Sequence, residues 1–510
     1  MTEEVITIAL ETLQLQKQAL IFAASRASAE KTAEDIAKLT SFSLPLLEQE
    51  ILKAASVPTK QCRRLSHCIR KGIAFHHAGL LQKQRELIEE EFRKGTIRII
   101  CATPTLAAGL SLPAYRVIIP SLKRFSGSWG MDWIPVLEYL QMAGRAGRPE
   151  YEKEGQAITI AKSDAEKDEI YERYICGEPE DIYSKLAVEP VLRTYLLSLI
   201  SSGIINDEKS MKDFFSQTFW AHQFKDISKL SSTMEKMVHV LEGWKFIIIP
   251  NNEEKNDFIS ASLLERKEKV LKPTLLGKRI SELYIDPLTA RYLLDCLEQF
   301  SEKKTTFSLL QMISHTLEMR PLLRTKAKEG DKIQEELVKR YEVLLEKEPS
   351  TFDPEYDEFL NSIKTALFFE AWINEFDEDY LMETFDIRPG EIKVKLDTAD
   401  WLLYAADEIA KIENKKEISK EISKLRLRLQ NGTKEELLPL LRLKGIGRVR
   451  SRRLFNSGIK DLGDIKKVDI TTLSQILGKA IADDVKKQVG EEIKEVPKGT
   501  RKGQLSMERF

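Results

Sequence analysis

The sequence predicts a multidomain fold in which one α/β domain with a parallel sheet is followed by largely helical domains. The chain has 510 residues, more than one domain usually contains. Over residues 1–165, short apolar runs alternate with charged helix patterns, as they do in proteins with parallel sheets. Over residues 276–430, apolar residues recur at helical spacing, and prolines and glycines are few.

Five short apolar strands are predicted in the α/β region, at residues 18–23, 73–75, 97–102, 115–119 and 156–161. Polar residues follow three of them. These are Ser25 and Arg26 after the first strand, His76 and His77 after the second, and Thr103 after the third. Parallel strands end at a common edge of the sheet, where ligands of this fold class bind. We therefore expect a binding site at this edge.

Residues 141–148, with the sequence QMAGRAGR, place two arginines among small residues. At helical spacing Gln141, Arg145 and Arg148 fall on one face. Arginine can hold a phosphate bidentately and can stabilise charge on a transferring phosphoryl group. A basic helix end on an ordinary surface is the alternative interpretation.

Four segments in order resemble a known family. Residues 20–26, 75–80, 102–113 and 141–148 are similar to motifs IV, IVa, V and VI of superfamily 2 helicases, which lie in the second RecA-like domain. Archaeal repair helicases of the Hjm type are the most similar. They are related to Ski-like RNA helicases and to the helicase part of DNA polymerase theta.

The resemblance implies a role for each matching residue. Gln141 would orient the attacking water or the γ-phosphate of ATP, and Arg145 and Arg148 would act as arginine fingers. Gly109 and Ser111 would contact the nucleotide, and Ser25, Arg26, His77 and Thr103 would hold the phosphodiester backbone of the tracking strand. For His77 a packed strand end is the alternative.

The sequence lacks the parts that bind the phosphates of ATP. None of its 510 residues forms a G-x-x-x-x-G-K-[ST] loop or a D-E-x-H quartet, and it contains no metal site of its own. Those parts belong to the first RecA-like domain, which we expect to precede Met1 and to hold most of the ATP and Mg²⁺ cofactors.

A hairpin is predicted between motifs V and VI, because Gly127 and Gly130 are flanked by aromatic residues. In the family, a hairpin here separates the two strands of a duplex. Phe125 and Trp129 would stack on bases, which is worth ~1–3 kcal/mol per base. A surface hairpin packed on its own domain is the alternative.

The resemblance divides the chain into five parts. They are the RecA-like domain (1–165), a winged-helix domain (166–275), a helical ratchet domain (276–430), a helix-hairpin-helix domain (431–497) and a flexible tail (498–510). The winged helix is expected because helix patterns precede a strand predicted at residues 244–249.

The last helix of the ratchet region carries an apolar stripe at Ile392, Leu396, Ala399, Leu403, Ala406 and Ala410. Trp401 falls about 180° away from Ile392. The resemblance implies that Trp401 stacks on a base of the strand and that Lys393 lies beside it. The arginine of the family pattern falls on Val394 here, which departs from that pattern. A second packing face is the alternative for Trp401.

The C-terminal region is basic, with 17 Lys and Arg against 9 Asp and Glu over residues 437–510, whereas the whole chain carries a net charge of −1. Gly445-Ile446-Gly447 between two helix patterns indicates a helix-hairpin-helix, whose backbone N–H groups can face a phosphate. Arg448, Arg450, Arg452 and Arg453 would add charge for DNA binding. A purely structural hairpin is the alternative.

The last residues contain Gln504, Met507 and Phe510, which match Q-x-x-[ILM]-x-x-F and resemble the box that binds a sliding clamp. A chance match is the alternative. The five cysteines form no CxxC pair, which fits a reducing compartment, and no apolar run reaches the length of a membrane span.

The expected function is the C-terminal portion of an ATP-dependent 3′–5′ DNA helicase that unwinds forked DNA in repair and recombination. An ATPase-dead adaptor for DNA and the sliding clamp, or a fragment of a Ski-like RNA helicase, are the alternatives. We expect single-stranded and forked DNA, the sliding clamp and the first RecA-like domain as partners. We further expect a monomer without membrane contact, in the cytoplasm with the nucleoid.

Overall fold

The structure, a computed structural model, describes residues 3–55, 58–107, 112, 114–125, 131–147, 154–225, 227–250, 270–301 and 304–490. The chain divides into two compact units. The first unit is Met1–Pro287 with Asp377–Asp397, and the second unit is Leu288–Phe376 with Thr398–Phe510. No helix in the described part of the chain is long and apolar enough to cross a membrane.

The strands are β1 (Ala19–Phe22), β2 (Ile73–His76), β3 (Ile99–Ala102), β4 (Arg116–Ile119), β5 (Lys123–Phe125), β6 (Met131–Trp133), β7 (Gln156–Thr159), β8 (Ile247–Ile248) and β9 (Lys272–Pro273). Five of them form one parallel sheet in the order β2-β3-β1-β4-β7. Every side chain of β1, β2 and β3 is buried, because helices pack on this sheet. The five predicted strands and their parallel arrangement are thus confirmed.

The α-helices of the first unit are Glu3–Gln14, Arg26–Lys38, Pro45–Lys53, Lys60–Arg70, Gln82–Arg93, Val136–Ala143, Asp164–Ile170, Glu189–Ser201, Glu208–Ser216, Phe219–Phe224, Ile227–Gly243, Leu275–Leu283 and Glu378–Phe385. Those of the second unit are Pro287–Glu298, which starts at the boundary, Thr306–Ser314, Gly330–Arg340, Tyr356–Ile373, Lys416–Asn431, Arg448–Asn456, Leu462–Lys467, Ile470–Leu477 and Lys479–Gln488. The helix Pro389–Ile412 begins in the first unit and ends in the second.

The hairpin predicted after motif V is present. Strands β5 and β6 pair antiparallel, with Lys123 opposite Trp133 and Phe125 opposite Met131. The tip of this hairpin, including Trp129, lies outside the described residues.

The strand predicted at residues 244–249 is shorter than expected. Only Ile247–Ile248 is extended, paired antiparallel with Lys272–Pro273. Lys245 has a φ of 62°, which turns the chain sharply after the helix Ile227–Gly243 and delays the strand. Helices followed by a small antiparallel strand pair are compatible with a winged helix. The winged helix and the predicted domain boundaries stay predictions.

The apolar stripe of the helix Pro389–Ile412 is confirmed. Ile392, Ala399, Leu403, Ala406 and Ala410 are buried, and Leu396 is half-buried. Helical spacing places such residues on one face, which packs inward.

Candidate nucleotide and nucleic-acid site

A cavity of about 450 Å³ opens at the carboxyl edge of the parallel sheet. Ala24 lines it after β1, Thr105 after β3 and Ser121 after β4, and Gln141 lines it from the helix Val136–Ala143. These residues come together because parallel strands deliver their carboxyl ends to one edge. The cavity therefore lies where the sequence predicts a ligand.

The helix that carries motif VI ends between two of its three catalytic candidates, Gln141 and Arg145. Gln141 is exposed in its last turn. Arg145 is half-buried just beyond the helix, and its Nε donates to the carbonyl oxygen of Ala107 at 3.1 Å, with Nη2 donating to the same oxygen. Its own carbonyl accepts the N–H of Ala114 at 3.2 Å. Arg145 is thus fastened to the loop that carries motif V.

Two glycines bring the backbone after Arg145 against the segment that leads into β7. Gly147 has a φ of 68°, and its N–H donates to Ala114 at 2.8 Å. A Cβ on Gly155 would lie 2.2 Å from the nitrogen of Gly147. A side chain at either position would therefore push the turn away, so the small residues of motif VI serve close packing within the domain.

His77 lies inside the domain rather than at its surface. Its side chain is fully buried, with Nε2 3.2 Å from a carboxylate oxygen of Glu30 and Nδ1 accepting the N–H of Gly79 at 3.2 Å. Burial raises the pKa of Glu30, but hydrogen bonds from His77 and Gln61 and the charge of Arg64 outweigh it and hold the pKa at about 2. This burial favours the alternative interpretation, a packed strand end, and a contact between His77 and the tracking DNA strand stays a prediction.

The residues after β1 begin the helix Arg26–Lys38. Ser25 is exposed, and its hydroxyl caps this helix by accepting the N–H of Ser28 at 3.1 Å. Arg26 is half-buried and forms an ion pair with Glu391 of the same unit. The Ser25 hydroxyl is therefore at the surface, whereas the guanidinium of Arg26 already holds a carboxylate.

Thr103 follows β3 and is half-buried. Its hydroxyl lies 2.8 Å from that of Thr105, which lines the cavity. The two hydroxyls form a polar edge beside the cavity that can donate to an anionic ligand.

The stem of the β5–β6 hairpin is held by cations. The ammonium group of Lys123 lies 4.0 Å from the centre of the Trp133 ring, and Arg124 pairs with Glu138 at 3.1 Å. At the other end of the stem, the backbone of Phe125 pairs with Met131, which is 61% exposed. An apolar side chain near the predicted tip thus faces solvent.

The helix Pro389–Ile412 places its two candidates differently. Lys393 is exposed and pairs with Asp397 at 2.6 Å, one turn away. Trp401 is half-buried, while Val394 is 63% exposed. Trp401 is therefore partly accessible, as a stacking residue requires.

The predicted helix-hairpin-helix is present around residues 445–447. Gly445 has a φ of 80°, and Gly447 precedes the helix Arg448–Asn456 without a side-chain cap on its N–H groups. A Cβ added at either glycine would meet no atom within 4 Å. The first backbone N–H groups of this helix are thus open to an anion.

The four arginines of this helix divide into two pairs. Arg450 and Arg453 are exposed. Arg448 donates to the carbonyl of Phe376 at 2.7 Å. Arg452 holds Glu375 bidentately, with both bonds at 2.7 Å, and contacts Glu436 at 2.7 Å as well.

The contact with Arg452 affects the pKa of Glu375. Burial raises the pKa of Glu375, but the hydrogen bonds from Arg452 and from the backbone of Lys434, together with the charges of Arg452 and Arg448, outweigh burial and lower the pKa. Arg448 and Arg452 therefore attach the hairpin to the rest of the second unit, which leaves Arg450 and Arg453 as the DNA-facing candidates.

Sequence reasoning missed a second hairpin. The helices Ile470–Leu477 and Lys479–Gln488 are joined at Gly478, which has a φ of 87°. The sequence signal here is one glycine between two helix patterns, which is weaker than the Gly445-Ile446-Gly447 that predicts the first hairpin.

Several candidates lie outside the described residues: Gly109, Ser111, Trp129, Arg148, Gln504, Met507 and Phe510. Among the residues that the structure describes, no group of three or more His, Cys, Asp or Glu side chains is placed to hold a metal ion.

Three family models match this chain. The helicase conserved C-terminal domain matches residues 3–150, domain 4 of archaeal helicases matches residues 307–432, and the SAM-like helix-hairpin-helix tandem matches residues 437–491. The tandem spans both hairpins.

The chain is also similar to proteins named ATP-dependent DNA helicase Hel308. It is 37% identical over 498 residues to that of Pyrococcus abyssi, covering 96% of this chain and 66% of the relative. For Pyrococcus horikoshii the identity is 36% over 506 residues, covering 97% and 67%. For Methanococcus vannielii it is 38% over 475 residues, covering 88% and 62%. The chain spans about two thirds of the length of these relatives.

Proposed function

The chain belongs to the archaeal helicase family named Hel308, and we propose that it forms the C-terminal portion of an ATP-dependent DNA helicase. The helicase would move 3′ to 5′ and unwind forked DNA in repair and recombination. The phosphate-binding loop, its lysine and the acid that holds Mg²⁺ would come from a first motor domain outside these 510 residues.

The cavity at the carboxyl edge of the sheet is the observation that supports this proposal most. It joins the exposed Gln141 to the polar residues that follow β3 and β4. Arg145 lies one helical turn beyond Gln141, with its guanidinium held at the motif V loop. An arginine fixed in this way is positioned before any ligand arrives, which is what electrostatic stabilisation requires.

ATP, when bound, supplies the phosphoryl group whose transfer releases the free energy for movement. Gln141 would orient the water that attacks the γ-phosphate, and Arg145 and Arg148 would stabilise the charge that develops on it. Gly109 and Ser111 would complete the nucleotide contacts from motif V. These roles rest on the family and on the position of the helix end.

Residues that contact the DNA strands would come from both units. In the first unit, the hydroxyls of Ser25 and Thr103 and the β5–β6 hairpin with Phe125 and Trp129 would hold and split the duplex. In the second unit, Trp401 would stack on a base, and the exposed Arg450 and Arg453 would contact phosphates. We further propose that residues 166–275 form a winged-helix domain and that residues 504–510 bind a sliding clamp.

The test is ATP hydrolysis with single-stranded DNA, by the chain alone and mixed with a separately produced first motor domain of a Hel308 relative. We expect activity only in the mixture. Arg148→Ala should lower it on the order of 10³-fold, as removal of an arginine finger does. Arg63→Ala is the matched control, because Arg63 is exposed on the helix Lys60–Arg70, away from the cavity.

Hydrolysis by the chain alone would overturn the proposal. A mixture that forms a stable complex and binds DNA but does not hydrolyse ATP would favour the passive adaptor. Comparing the affinities for single-stranded DNA and RNA of equal sequence separates the DNA from the RNA assignment, and tighter RNA binding would exclude the former.

A further inference from the structure

A larger cavity lies within the second unit, and none of its lining residues belongs to the candidate sites described above. It has a volume of about 960 Å³ and is bounded by the helix Lys416–Asn431 and the start of the helix Thr306–Ser314. Its lining contains six cationic side chains and three glutamates. The cationic ones are Lys304, Lys415, Lys416, Lys420, Lys424 and Arg428.

Four of these cations form a row along one helix. Lys416, Lys420, Lys424 and Arg428 follow each other at intervals of four residues, so they lie on one face of the helix Lys416–Asn431. Like charges at this spacing repel, and a cation in the first turn also opposes the helix dipole. The row therefore costs this helix stability unless negative charge lies against it.

The glutamates of the lining offset this charge only in part. Lys424 pairs with Glu421 at 2.8 Å and with Glu435 at 3.5 Å. Among the described residues, the ammonium groups of Lys416 and Lys420 form no ion pair or hydrogen bond. These two exposed ammonium groups are therefore available to an anion in the cavity.

Arg428, at the end of the row, is only 9% exposed. Its Nε donates to the carbonyl of Thr433 and its Nη1 to the hydroxyl of Thr306, both at 3.3 Å. No carboxylate of the described residues lies within ion-pair distance, and burial lowers the pKa of Arg428. Buried guanidinium groups in proteins are usually paired with an acid.

We propose that this cavity binds a phosphate-bearing anion, held by the guanidinium of Arg428 and the ammonium groups of Lys416 and Lys420. Guanidinium binds phosphate oxygens through two parallel hydrogen bonds, and lysines add point charges around it. The phosphate is either the phosphodiester backbone of a nucleic-acid strand or that of a free small molecule. The site is independent of the proposed motor activity, because no residue is shared.

The experiment is a lysine footprint on the full chain, with acetylation rates of single lysines measured by mass spectrometry. One arm contains inorganic pyrophosphate, a second a 20-residue oligo(dT), and a third sodium chloride at matched ionic strength. Lys332, which is exposed on the helix Gly330–Arg340 of the same unit and does not line the cavity, is the internal control.

We expect acetylation of Lys416 and Lys420 to slow by roughly tenfold in a phosphate-containing arm, as charge-assisted hydrogen bonds of this kind predict, with Lys332 unchanged. Protection by pyrophosphate identifies a free phosphate ligand. Protection by the oligonucleotide alone identifies a strand backbone.

Arg428→Gln should abolish the protection in either case. Lys420→Gln, which changes an exposed side chain and should leave the fold intact, should weaken the protection of Lys416. Equal rates in all three arms would overturn the proposal, as would protection that extends to Lys332 or that survives in Arg428→Gln.

Discussion

The sheet domain and the first helix-hairpin-helix both contain arginines beside glycines. In the sheet domain the arginine side chain points into the domain, whereas in the hairpin it is exposed to solvent. In motif VI the guanidinium of Arg145 donates to the carbonyl of Ala107, and Gly147 packs against Gly155. In the hairpin, Arg450 is exposed, and Gly445 has open space around it. Similar sequence patterns thus serve a rigid catalytic scaffold in one region and an accessible phosphate surface in the other.

The difference shows what decides the role of such a motif. Gly155 is required because two backbones touch, whereas Gly445 is required because the chain must turn with a positive φ. Both arginines donate to a carbonyl of their own unit, Arg145 to Ala107 and Arg450 to Gly445 at 2.7 Å. They differ in exposure, because Arg145 is half-buried and Arg450 is exposed to solvent.

The largest expected effect tests the inward-packed glycines. Gly155→Ala should cost about 4 kcal/mol of unfolding free energy in the first unit, because the new Cβ would overlap the backbone of Gly147 at 2.2 Å. Hydrogen exchange of β4 and β7 amides measures this. Gly447→Ala in the second unit is the comparison. It should change stability by less than about 1 kcal/mol, because its Cβ meets open space and its φ is −108°.

The buried network around His77 should show itself through pH. The pKa of Glu30 is about 2 in the folded protein, below its ordinary value of 4.5, so Glu30 stabilises the fold above pH 4.5. This contribution is lost as the pH falls from 4.5 towards 2. Glu30→Gln should therefore destabilise the first unit on the order of 3 kcal/mol at pH 7 and much less at pH 3. Urea titrations at both pH values measure the free energy of unfolding. If Glu30→Gln lowered it equally at pH 7 and pH 3, the charge of Glu30 would not be what stabilises the fold.

Within the hairpin, Arg452, whose side chain points into the second unit, should stabilise the fold. The guanidinium of Arg452 and the carboxylate of Glu375 are mostly buried and bond bidentately. Arg452→Ala should cost about 2 kcal/mol, because it leaves the carboxylate without its partner. A double-mutant cycle with Glu375→Ala measures the coupling, and an interaction energy near zero would show that the pair does not hold the hairpin.

The smallest effect belongs to the outward-facing arginines. Arg450→Ala and Arg453→Ala should each weaken single-stranded DNA binding about fivefold and lower the salt slope by about 0.7, as loss of one phosphate contact does. Stability should not change. Arg324→Ala, an exposed arginine elsewhere in the second unit, is the control and should bind as the wild type does. Equal losses in all three variants would assign the effect to net charge.

The sequence was most informative where periodicity and chain order carry the answer. Short apolar runs predicted the five parallel strands, because a strand buried on both faces must be apolar throughout. The stripe from Ile392 to Ala410 predicted the buried face of its helix, and the glycines at 445 and 447 predicted the hairpin. One strand was predicted too long, because the positive φ of Lys245 left too little extended chain, and the second hairpin at Gly478 was missed.

By itself, the sequence determined the family, the order of the motifs and the class of chemistry, because residue types and spacing are local properties of the chain. Tertiary structure alone decided which polar groups are available. Three carboxylates bind side chains that are distant in sequence: Glu30 contacts His77, Glu375 pairs with Arg452, and Glu391 pairs with Arg26. The row from Lys416 to Arg428 became a candidate site only when the fold showed a cavity beside it and no carboxylate of the described residues within ion-pair distance of Arg428. Pairing of distant charges depends on three-dimensional proximity, which spacing along the chain does not encode.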